Sequence, residues 1–176
     1  VYTFEKLIEA QYLYVDKTEH IWNMVKEPYG IYFLSRPRRF GKSLTLSTLK
    51  AVFQNKKNLF NGLALEAKPL VWKEYPVVHL DLGSKAVQTD DELKTYLWNR
   101  VDKVARDYDV KLTLGSYDER FQELIETLGA QEQLVILIDE YDKPILDNAV
   151  KPNVEAIRET LESFYSVIKT TEPYQR

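Results

Sequence analysis

The chain has 176 residues, 44% of them hydrophobic and 29% charged, which is typical of one globular domain and excludes a disordered chain. Its formal net charge of −3 argues against binding nucleic acid over the whole surface, although a local basic patch remains compatible. There are no cysteines, which excludes disulfide scaffolds and thiolate zinc sites.

Two short helices are predicted at the start of the chain. The first covers Phe4–Ile8. The second would be capped by Asp16 or Thr18 and would end before Pro28, because proline cannot continue a helix.

Three short apolar runs predict buried strands. These runs are Ile31–Leu34, Val77–Leu80 and Leu134–Ile138. Apolar residues at helical spacing predict a helix over Leu44–Phe53 and a last helix from about Val154 to Ile168.

Capping patterns mark two more helices between the second and third predicted strands. Thr89 with Glu92 and Ser116 with Glu119 fit capping boxes, and Gly129 would stop the later helix. Strands that are apolar on both faces and alternate with helices predict a parallel sheet covered by helices. The predicted fold class is therefore α/β.

The segment Phe40–Ser43 has the form of the end of a phosphate-binding loop. It stands between a predicted strand and a predicted helix, whose first N–H groups would face the anion. Gly41 would let the backbone approach the phosphates, Lys42 would reach the β- and γ-phosphates, and the Ser43 hydroxyl would bind Mg²⁺. Alone, the tripeptide is a weak pattern, and a helix N-terminus with an exposed lysine is an equal alternative.

Arginine stands where such a loop usually has its first glycine. Arg36 holds that position, and Arg38 and Arg39 follow at once. Pro37 fixes its φ at about −65° and would stiffen the loop. A basic DNA-binding patch would explain the arginines, but not the strand, the helix and the distant acidic pair described next. We assign nucleotide binding to Arg36, Pro37, Arg38, Arg39, Phe40, Gly41, Lys42, Ser43 and Leu44.

The third predicted strand ends in two acids, Asp139 and Glu140. Ionised carboxylates beside a buried strand are costly unless something pairs with them, and a hydrated Mg²⁺ beside a triphosphate is such a partner. Asp139 would help hold the metal, and Glu140 would orient and activate the attacking water. A strand that simply runs out into solvent is the alternative for this motif alone. Both motifs follow predicted strands, where ligands bind in open parallel sheets.

Five segments in this order resemble the predicted AAA-ATPase family of bacterial proteins. They are "YVDKT" (Tyr14–Thr18), "FLSRPRRFGKSLTLSTLKAVF" (Phe33–Phe53), "LFNGL" (Leu59–Leu63), "YPVVHLDL" (Tyr75–Leu82) and "LVILIDEYDKPI" (Leu134–Ile145). The resemblance implies a P-loop NTPase domain of the additional-strand, catalytic-glutamate type, akin to AAA+ and STAND ATPases. Its members often carry a C-terminal nuclease-like domain of the PD-(D/E)xK type.

The resemblance also implies roles for particular residues. Lys42 and Ser43 would be the Walker A residues and Asp139 and Glu140 the Walker B pair, with ATP and Mg²⁺ as cofactors. Lys42 and Glu140 would then be catalytic, and Ser43 and Asp139 would bind the metal. An arginine at position 36 is usual in the family. Family members continue with a strand that ends in a Thr-Gly sensor, so we expect this chain, ending at Arg176, to lack that strand and the lid.

We expect Mg-ATP binding and hydrolysis, coupled to a conformational change of an attached or partner domain. The alternative is a nucleotide-gated switch or scaffold with negligible turnover. A helicase D-E-x-D box over Asp139–Asp142 is a third hypothesis, without other helicase motifs to support it. A nuclease motif around Lys143 fails, because Tyr141 stands where that motif needs an acid.

Other residues have competing interpretations. Asp81 would either reach the metal or cap the end of its strand, and Asp16–Thr18 would either line a base pocket or cap a helix. His20 and His79 lack metal-ligand spacing, so we interpret them as structural. Asp142 and Lys143 would form a local ion pair or contact a neighbouring subunit.

Localisation and partners follow from simpler features. No apolar run approaches the length of about 18 residues that spans a bilayer, and no signal peptide pattern is present. We therefore expect a soluble cytoplasmic protein without a membrane partner. The chain begins at Val1, so we expect a piece of a longer protein. Further partners would be a second copy of the chain and the nuclease-like domain, through which nucleic acid would be an indirect partner.

Overall fold

The computed structural model of this protein describes residues 3–37, 39–113 and 115–176. The chain divides into two compact units. The first covers Val1–Val77 together with Arg176, and the second covers Val78–Gln175. Among the described helices, none has the length and apolar character needed to cross a membrane.

The first unit is helical. It contains α1 (Phe4–Glu9), α2 (Thr18–Val25) and α3 (Lys42–Phe53), followed by two 3-10 turns at Lys57–Phe60 and Ala64–Ala67. The three helices match the predicted ones closely. Their apolar faces meet in a small core formed by Phe4, Ile21, Val25, Leu49, Ala51, Val52, Leu59, Phe60 and Leu65.

The predicted strand at Ile31–Leu34 is wrong. Residues 29–37 form neither helix nor strand, and the side chains of Ile31 and Phe33 are 88% and 70% exposed. An apolar run becomes a buried strand only when a neighbouring strand accepts its backbone hydrogen bonds and other elements cover its side chains. In the described part of the chain, this segment has no such neighbour.

The second unit is α/β, which confirms the predicted class. Its elements are β1 (Val77–Asp81), α4 (Asp90–Asp107), α5 (Tyr117–Gly129), β2 (Val135–Asp139), α6 (Lys143–Leu146) and α7 (Val154–Thr170). The strands β1 and β2 pair in a small parallel sheet. Just past the end of β1, the Leu82 N–H donates to the carbonyl of Asp139 at 3.0 Å. At the other end of β2, Leu134 forms a parallel bridge with Gln175.

Capping explains where two of these helices begin. The Ser116 hydroxyl and the Glu119 carboxylate form the predicted reciprocal capping box of α5. At α4, the Thr89 hydroxyl accepts the Glu92 N–H, whereas the Glu92 carboxylate accepts the N–H of Gln88, one residue further out than a capping box would have it. Both helices therefore start where the sequence predicts.

A continuous apolar core fills the second unit. The predicted stripe of α7, with Ile157, Leu161 and Phe164, is fully or almost fully buried in it. The stripe packs against buried residues of β1, α4 and α5 and against the start of β2. Within this core, the rings of Phe121 and Phe164 are stacked, with 4.4 Å between their centroids. This packing supports the carboxyl ends of both strands. The acidic pair, Asp139 and Glu140, lies at the carboxyl end of β2.

Candidate functional site

The residues assigned from the sequence fall in both units. The loop from Arg36 to Leu44 belongs to the first unit, and Asp139 and Glu140 belong to the second. Arg38 lies outside the described residues.

The loop leads directly into α3. Gly41 is the N-cap of this helix and has φ 81°, a left-handed conformation that glycine adopts without strain. Arg39 also has a positive φ of 67°, and the N–H of Phe40 donates to the carbonyl of Pro37 at 3.4 Å. The chain therefore makes a tight reversal immediately before the first turn of α3.

The first turn of α3 is open to an anion. Within the described chain, no side chain caps this N-terminus, because the N-cap residue is Gly41. Uncapped N–H groups and the partial positive charge of the helix end favour a phosphate. The loop geometry therefore fits the anion-binding role predicted for Gly41 to Leu44.

Lys42 folds back over the loop. Its ammonium donates to the carbonyl oxygen of Arg36 at 2.7 Å. The loop carbonyl thus holds the cation beside the N-terminus of α3, where an incoming phosphate would replace that carbonyl as its partner. The missing glycine at position 36 does not prevent this contact, because only the backbone of Arg36 takes part.

Behind the loop, a polar contact joins α3 to α1 in addition to the apolar packing. The Ser47 hydroxyl accepts the N–H of Phe4 at 2.9 Å. Within α3 itself, the Thr48 hydroxyl donates to the carbonyl of Leu44 at 2.8 Å. Burial raises the pKa of the Tyr14 hydroxyl near Thr48, although the hydrogen bond with Thr48 acts against this rise. The helix that presents Lys42 and Ser43 is therefore held in place at its inner face.

The acidic pair stands at the carboxyl end of β2. Asp139 is the last residue of the strand, and its Oδ1 accepts the N–H of Glu140 at 3.0 Å. Glu140 has φ 52°, a left-handed conformation that costs a non-glycine residue about 1–2 kcal/mol. Both side chains are half-buried.

The segment after the pair turns into the short helix α6. The N–H of Lys143 donates to the carbonyl of Glu140 at 3.0 Å, and Pro144 fits the first turn of α6 because that turn requires no N–H from it. The Lys143 ammonium pairs with Asp147 at 2.6 Å. Lys143 therefore pairs with Asp147, four residues on along the helix, and not with Asp142 as one of the two interpretations predicted, whereas contact with a neighbouring subunit stays a prediction.

The structure gives structural roles to two of the residues with competing interpretations. The Asp81 carboxylate accepts the N–H of Gly83 at 2.8 Å and so caps the end of β1, as one interpretation predicted. Asp16 accepts the N–H of Thr18 at 2.8 Å and, through its other oxygen, the N–H of Ala64 at 2.7 Å. Asp16 therefore ties the start of α2 to the second 3-10 turn, which favours capping over a base pocket.

These hydrogen bonds lower the pKa of Asp16, and we expect a measurable loss of stability when they are removed. Burial acts to raise this pKa, but the hydrogen bonds from Ala64 and Thr18 outweigh it and hold it below its ordinary value near 3.8. Asp16→Ala should lower the free energy of unfolding by about 1–2 kcal/mol near neutral pH. Urea unfolding, followed by tryptophan fluorescence, measures this, with the exposed Glu9→Ala as control.

The sign of the pH dependence follows from the lowered pKa. A carboxylate with a depressed folded pKa stabilises the protein fully above its ordinary value and loses this contribution as the pH falls through the folded pKa. The difference between wild type and Asp16→Ala should therefore shrink from pH 7 to about pH 3. An equal difference at both pH values would contradict the assigned bonds.

No group of three or more metal-ligating side chains gathers within the described ranges. The predicted metal ligands nevertheless have the chemistry that Mg²⁺ prefers, because Ser43 and Asp139 offer a hydroxyl and a carboxylate oxygen. Mg²⁺ in nucleotide sites is commonly held by few protein ligands together with substrate phosphates. The residues therefore fit such a metal, and the assignment stays a prediction.

Comparison with known proteins decides the family. A family model described as "Predicted AAA-ATPase" matches residues 1–176. The chain belongs to this family. It is also similar to an "Uncharacterized protein in vnfD 5'region" of Azotobacter chroococcum mcd 1, at 36% identity over 180 residues. That match covers 100% of this chain and 35% of the relative, so the chain spans about a third of the relative's length. No solved structure matches the chain.

Membership in the predicted AAA-ATPase family confirms the resemblance stated from the five motifs. The structure adds residues around the acidic pair that the motifs did not indicate, namely Gly83 and Tyr165. The Tyr165 hydroxyl, on α7, donates to the carbonyl of Tyr141 at 2.8 Å. Neither residue has a sequence signal of its own, since a glycine after a strand indicates only a turn and a tyrosine on α7 fits the core.

Proposed function

We propose that this chain binds Mg-ATP and hydrolyses it, through a P-loop fold of the AAA type. The observation that carries the proposal is the uncapped, glycine-led N-terminus of α3 with the Lys42 ammonium folded over the loop, 2.7 Å from the Arg36 carbonyl. Family membership supports it. The α/β class with an acidic pair at the carboxyl end of β2 supports it as well.

Binding is assigned to the loop residues. The N–H groups from Gly41 to Leu44 would donate to the phosphates, and the Lys42 ammonium would exchange the Arg36 carbonyl for the β- and γ-phosphate oxygens. Arg36 and Arg39, with Arg38 outside the described residues, would add charge near the phosphates. Phe40, with its side chain 70% exposed, and Pro37 would shape the loop mouth.

Hydrolysis is assigned to the acidic pair. The Glu140 carboxylate would accept a proton from water while the water oxygen forms a bond to the γ-phosphorus. The bond from that phosphorus to the β–γ bridging oxygen breaks, so ADP and phosphate are the products. Asp139 and Ser43 would hold Mg²⁺, which neutralises charge on the phosphates when bound. Release of phosphate would be coupled to a conformational change of an attached or partner domain.

The test uses the protein in its full length. Calorimetric titration with ATP, with and without Mg²⁺, should give Mg²⁺-dependent binding, and AMP should bind far more weakly because it lacks the β- and γ-phosphates. Phosphate release should accompany ATP binding. Tight ATP binding without phosphate release would instead identify a nucleotide-gated switch, and absence of ATP binding would overturn the proposal.

A further inference from the structure

The backbone around Glu140 is held in an unusual conformation. Its φ of 52° lies in the left-handed region, which a residue with a side chain keeps only when its surroundings require it. Contacts on both sides of Glu140 therefore decide where its carboxylate stands.

Hydrogen bonds hold the backbone carbonyls of Asp139 and Tyr141, the residues on either side of Glu140. Before it, the carbonyl of Asp139 accepts the N–H of Leu82 at 3.0 Å. After it, the carbonyl of Tyr141 accepts the Tyr165 hydroxyl at 2.8 Å. The hydrogen bond from Tyr165 joins the backbone just after Glu140 to α7, whose buried stripe packs in the core of the unit.

The Tyr165 hydroxyl is suited to donate a hydrogen bond that does not depend on pH. Burial raises the pKa of its hydroxyl well above the usual value, and the nearby Asp142 carboxylate raises it further. The hydroxyl therefore keeps its proton at every pH at which the protein works. Its bond to the Tyr141 carbonyl does not titrate in that range.

Gly83 limits the position of the Glu140 side chain from another direction. A Cβ atom added at Gly83 would stand 2.8 Å from Cγ and 2.9 Å from Cβ of Glu140. Those distances are too short for real carbon contacts, so the glutamate lies directly against the bare backbone of Gly83. The Asp81 carboxylate holds the N–H of Gly83 at 2.8 Å and thereby keeps this backbone in place.

We propose that Gly83 and Tyr165 are positioning residues for Glu140. Gly83 provides the surface on which the Glu140 side chain rests, and Tyr165 holds the carbonyl of Tyr141, the residue that follows Glu140. The inference rests on the proposed function, in which Glu140 accepts the proton of the attacking water. Both residues act through Glu140, and neither touches ATP in this account.

Substitution of Gly83 or Tyr165 should lower the turnover of ATP and leave the binding of ATP unchanged. Gly83→Ala should displace the Glu140 carboxylate and lower kcat for ATP by about 100-fold, the cost typical of a displacement near 1 Å. Tyr165→Phe removes one hydrogen bond from the segment and should lower kcat by about tenfold. The dissociation constant of ATP should stay at the wild-type value in both variants, because the phosphate-binding loop is untouched.

Matched controls exist in the same unit. Gly115→Ala adds a methyl group where nothing lies within 4 Å, and Tyr117→Phe removes a hydroxyl that donates to the Thr160 carbonyl of the same helix α7. Both controls should turn over ATP like the wild type. Thermal melting of all four variants identifies any loss that arises from unfolding, and if Gly83→Ala fails to fold, Tyr165→Phe carries the test.

The decisive measurement is single-turnover hydrolysis by the full-length protein in two backgrounds, wild type and Glu140→Gln. If Gly83 and Tyr165 act through Glu140, Gly83→Ala and Tyr165→Phe should not lower the hydrolysis rate further in the Glu140→Gln background. Equal losses in both backgrounds, or wild-type turnover in Gly83→Ala and Tyr165→Phe, would overturn the inference while leaving the proposed function intact. If Glu140→Gln itself hydrolyses ATP like the wild type, the catalytic assignment and this inference fall together.

A readout without ATP accompanies the kinetics. With ¹⁵N-labelled tyrosine in the full-length protein, the Tyr141 amide resonance should shift in Gly83→Ala and in Tyr165→Phe. The same resonance should stay in place in Gly115→Ala. An unmoved Tyr141 resonance in both positioning variants would contradict the assigned contacts, whatever the ATPase rates are.

Discussion

Glu140→Gln is expected to lower the rate of ATP hydrolysis by about 10²- to 10⁴-fold while ATP still binds. The amide keeps the size of the carboxylate but cannot accept the proton of the attacking water. The Cβ and Cγ atoms that lie beside Gly83 are the same in glutamate and glutamine, so this packing can be kept. Steady-state phosphate release and equilibrium binding of a fluorescent ATP analogue measure the two properties separately.

The control for this variant is Glu162→Gln on α7. The Glu162 side chain is 65% exposed, and its ion pair with Arg158 at 3.8 Å is of the surface type that contributes little. Its turnover should equal that of the wild type. A Glu140→Gln protein that releases phosphate at the wild-type rate would remove Glu140 from the mechanism.

Lys42→Ala is expected to weaken ATP binding by about 10- to 150-fold. The estimate follows from loss of a charge-assisted hydrogen bond to phosphate, which contributes about 1.5–3 kcal/mol. The fold should survive, because the lysine's recorded side-chain bond is to the exposed carbonyl of Arg36. Titration calorimetry with Mg-ATP gives the dissociation constant.

Lys50→Ala is the matched control, since Lys50 lies in the last turn of the same helix, α3. It should bind ATP like the wild type. Lys42→Arg is expected to restore only part of the affinity, because the planar guanidinium does not reproduce the compact ammonium. Equal dissociation constants for Lys42→Ala, Lys50→Ala and wild type would exclude the loop as the phosphate site.

The helices of this protein could be predicted because their signals are local. The Ser116–Glu119 capping box and the spacing of Ile157, Leu161 and Phe164 lie within single helices, and tertiary packing agrees with both. Helix α6 was missed because four residues beginning Lys143-Pro144 are too few to have a periodic pattern. Local patterns therefore predicted long helices better than short ones.

The strand predicted at Ile31–Leu34 failed for a different reason. An apolar run indicates that its side chains favour burial. A strand also needs a neighbouring strand to pair with, which the run itself does not specify. Val135–Asp139 has that neighbour in β1, whereas the backbone of Ile31–Leu34 pairs with no strand within the described ranges. The exposure of Ile31 and Phe33 follows directly.

The candidate residues of the site come from the sequence, whereas the residues packed around them come from the structure. Gly41, Lys42, Asp139 and Glu140 belong to short patterns with a known physical purpose, and the two patterns together with the family resemblance select them as a prediction. Gly83 and Tyr165 lie far from Glu140 in sequence, and only the fold brings Gly83 against its side chain and Tyr165 to the carbonyl of Tyr141. The positioning role proposed for them depends on interatomic distances, which no residue pattern contains.

The central claim is that this chain binds Mg-ATP and that Glu140 promotes its hydrolysis. Single-turnover release of phosphate from radiolabelled Mg-ATP tests it most directly, with full-length wild type and Glu140→Gln measured side by side at saturating protein. We expect one phosphate per bound ATP from the wild type and at least about 100-fold slower release from the variant. Equal rates in the two proteins, or no capture of ATP by either, would contradict it.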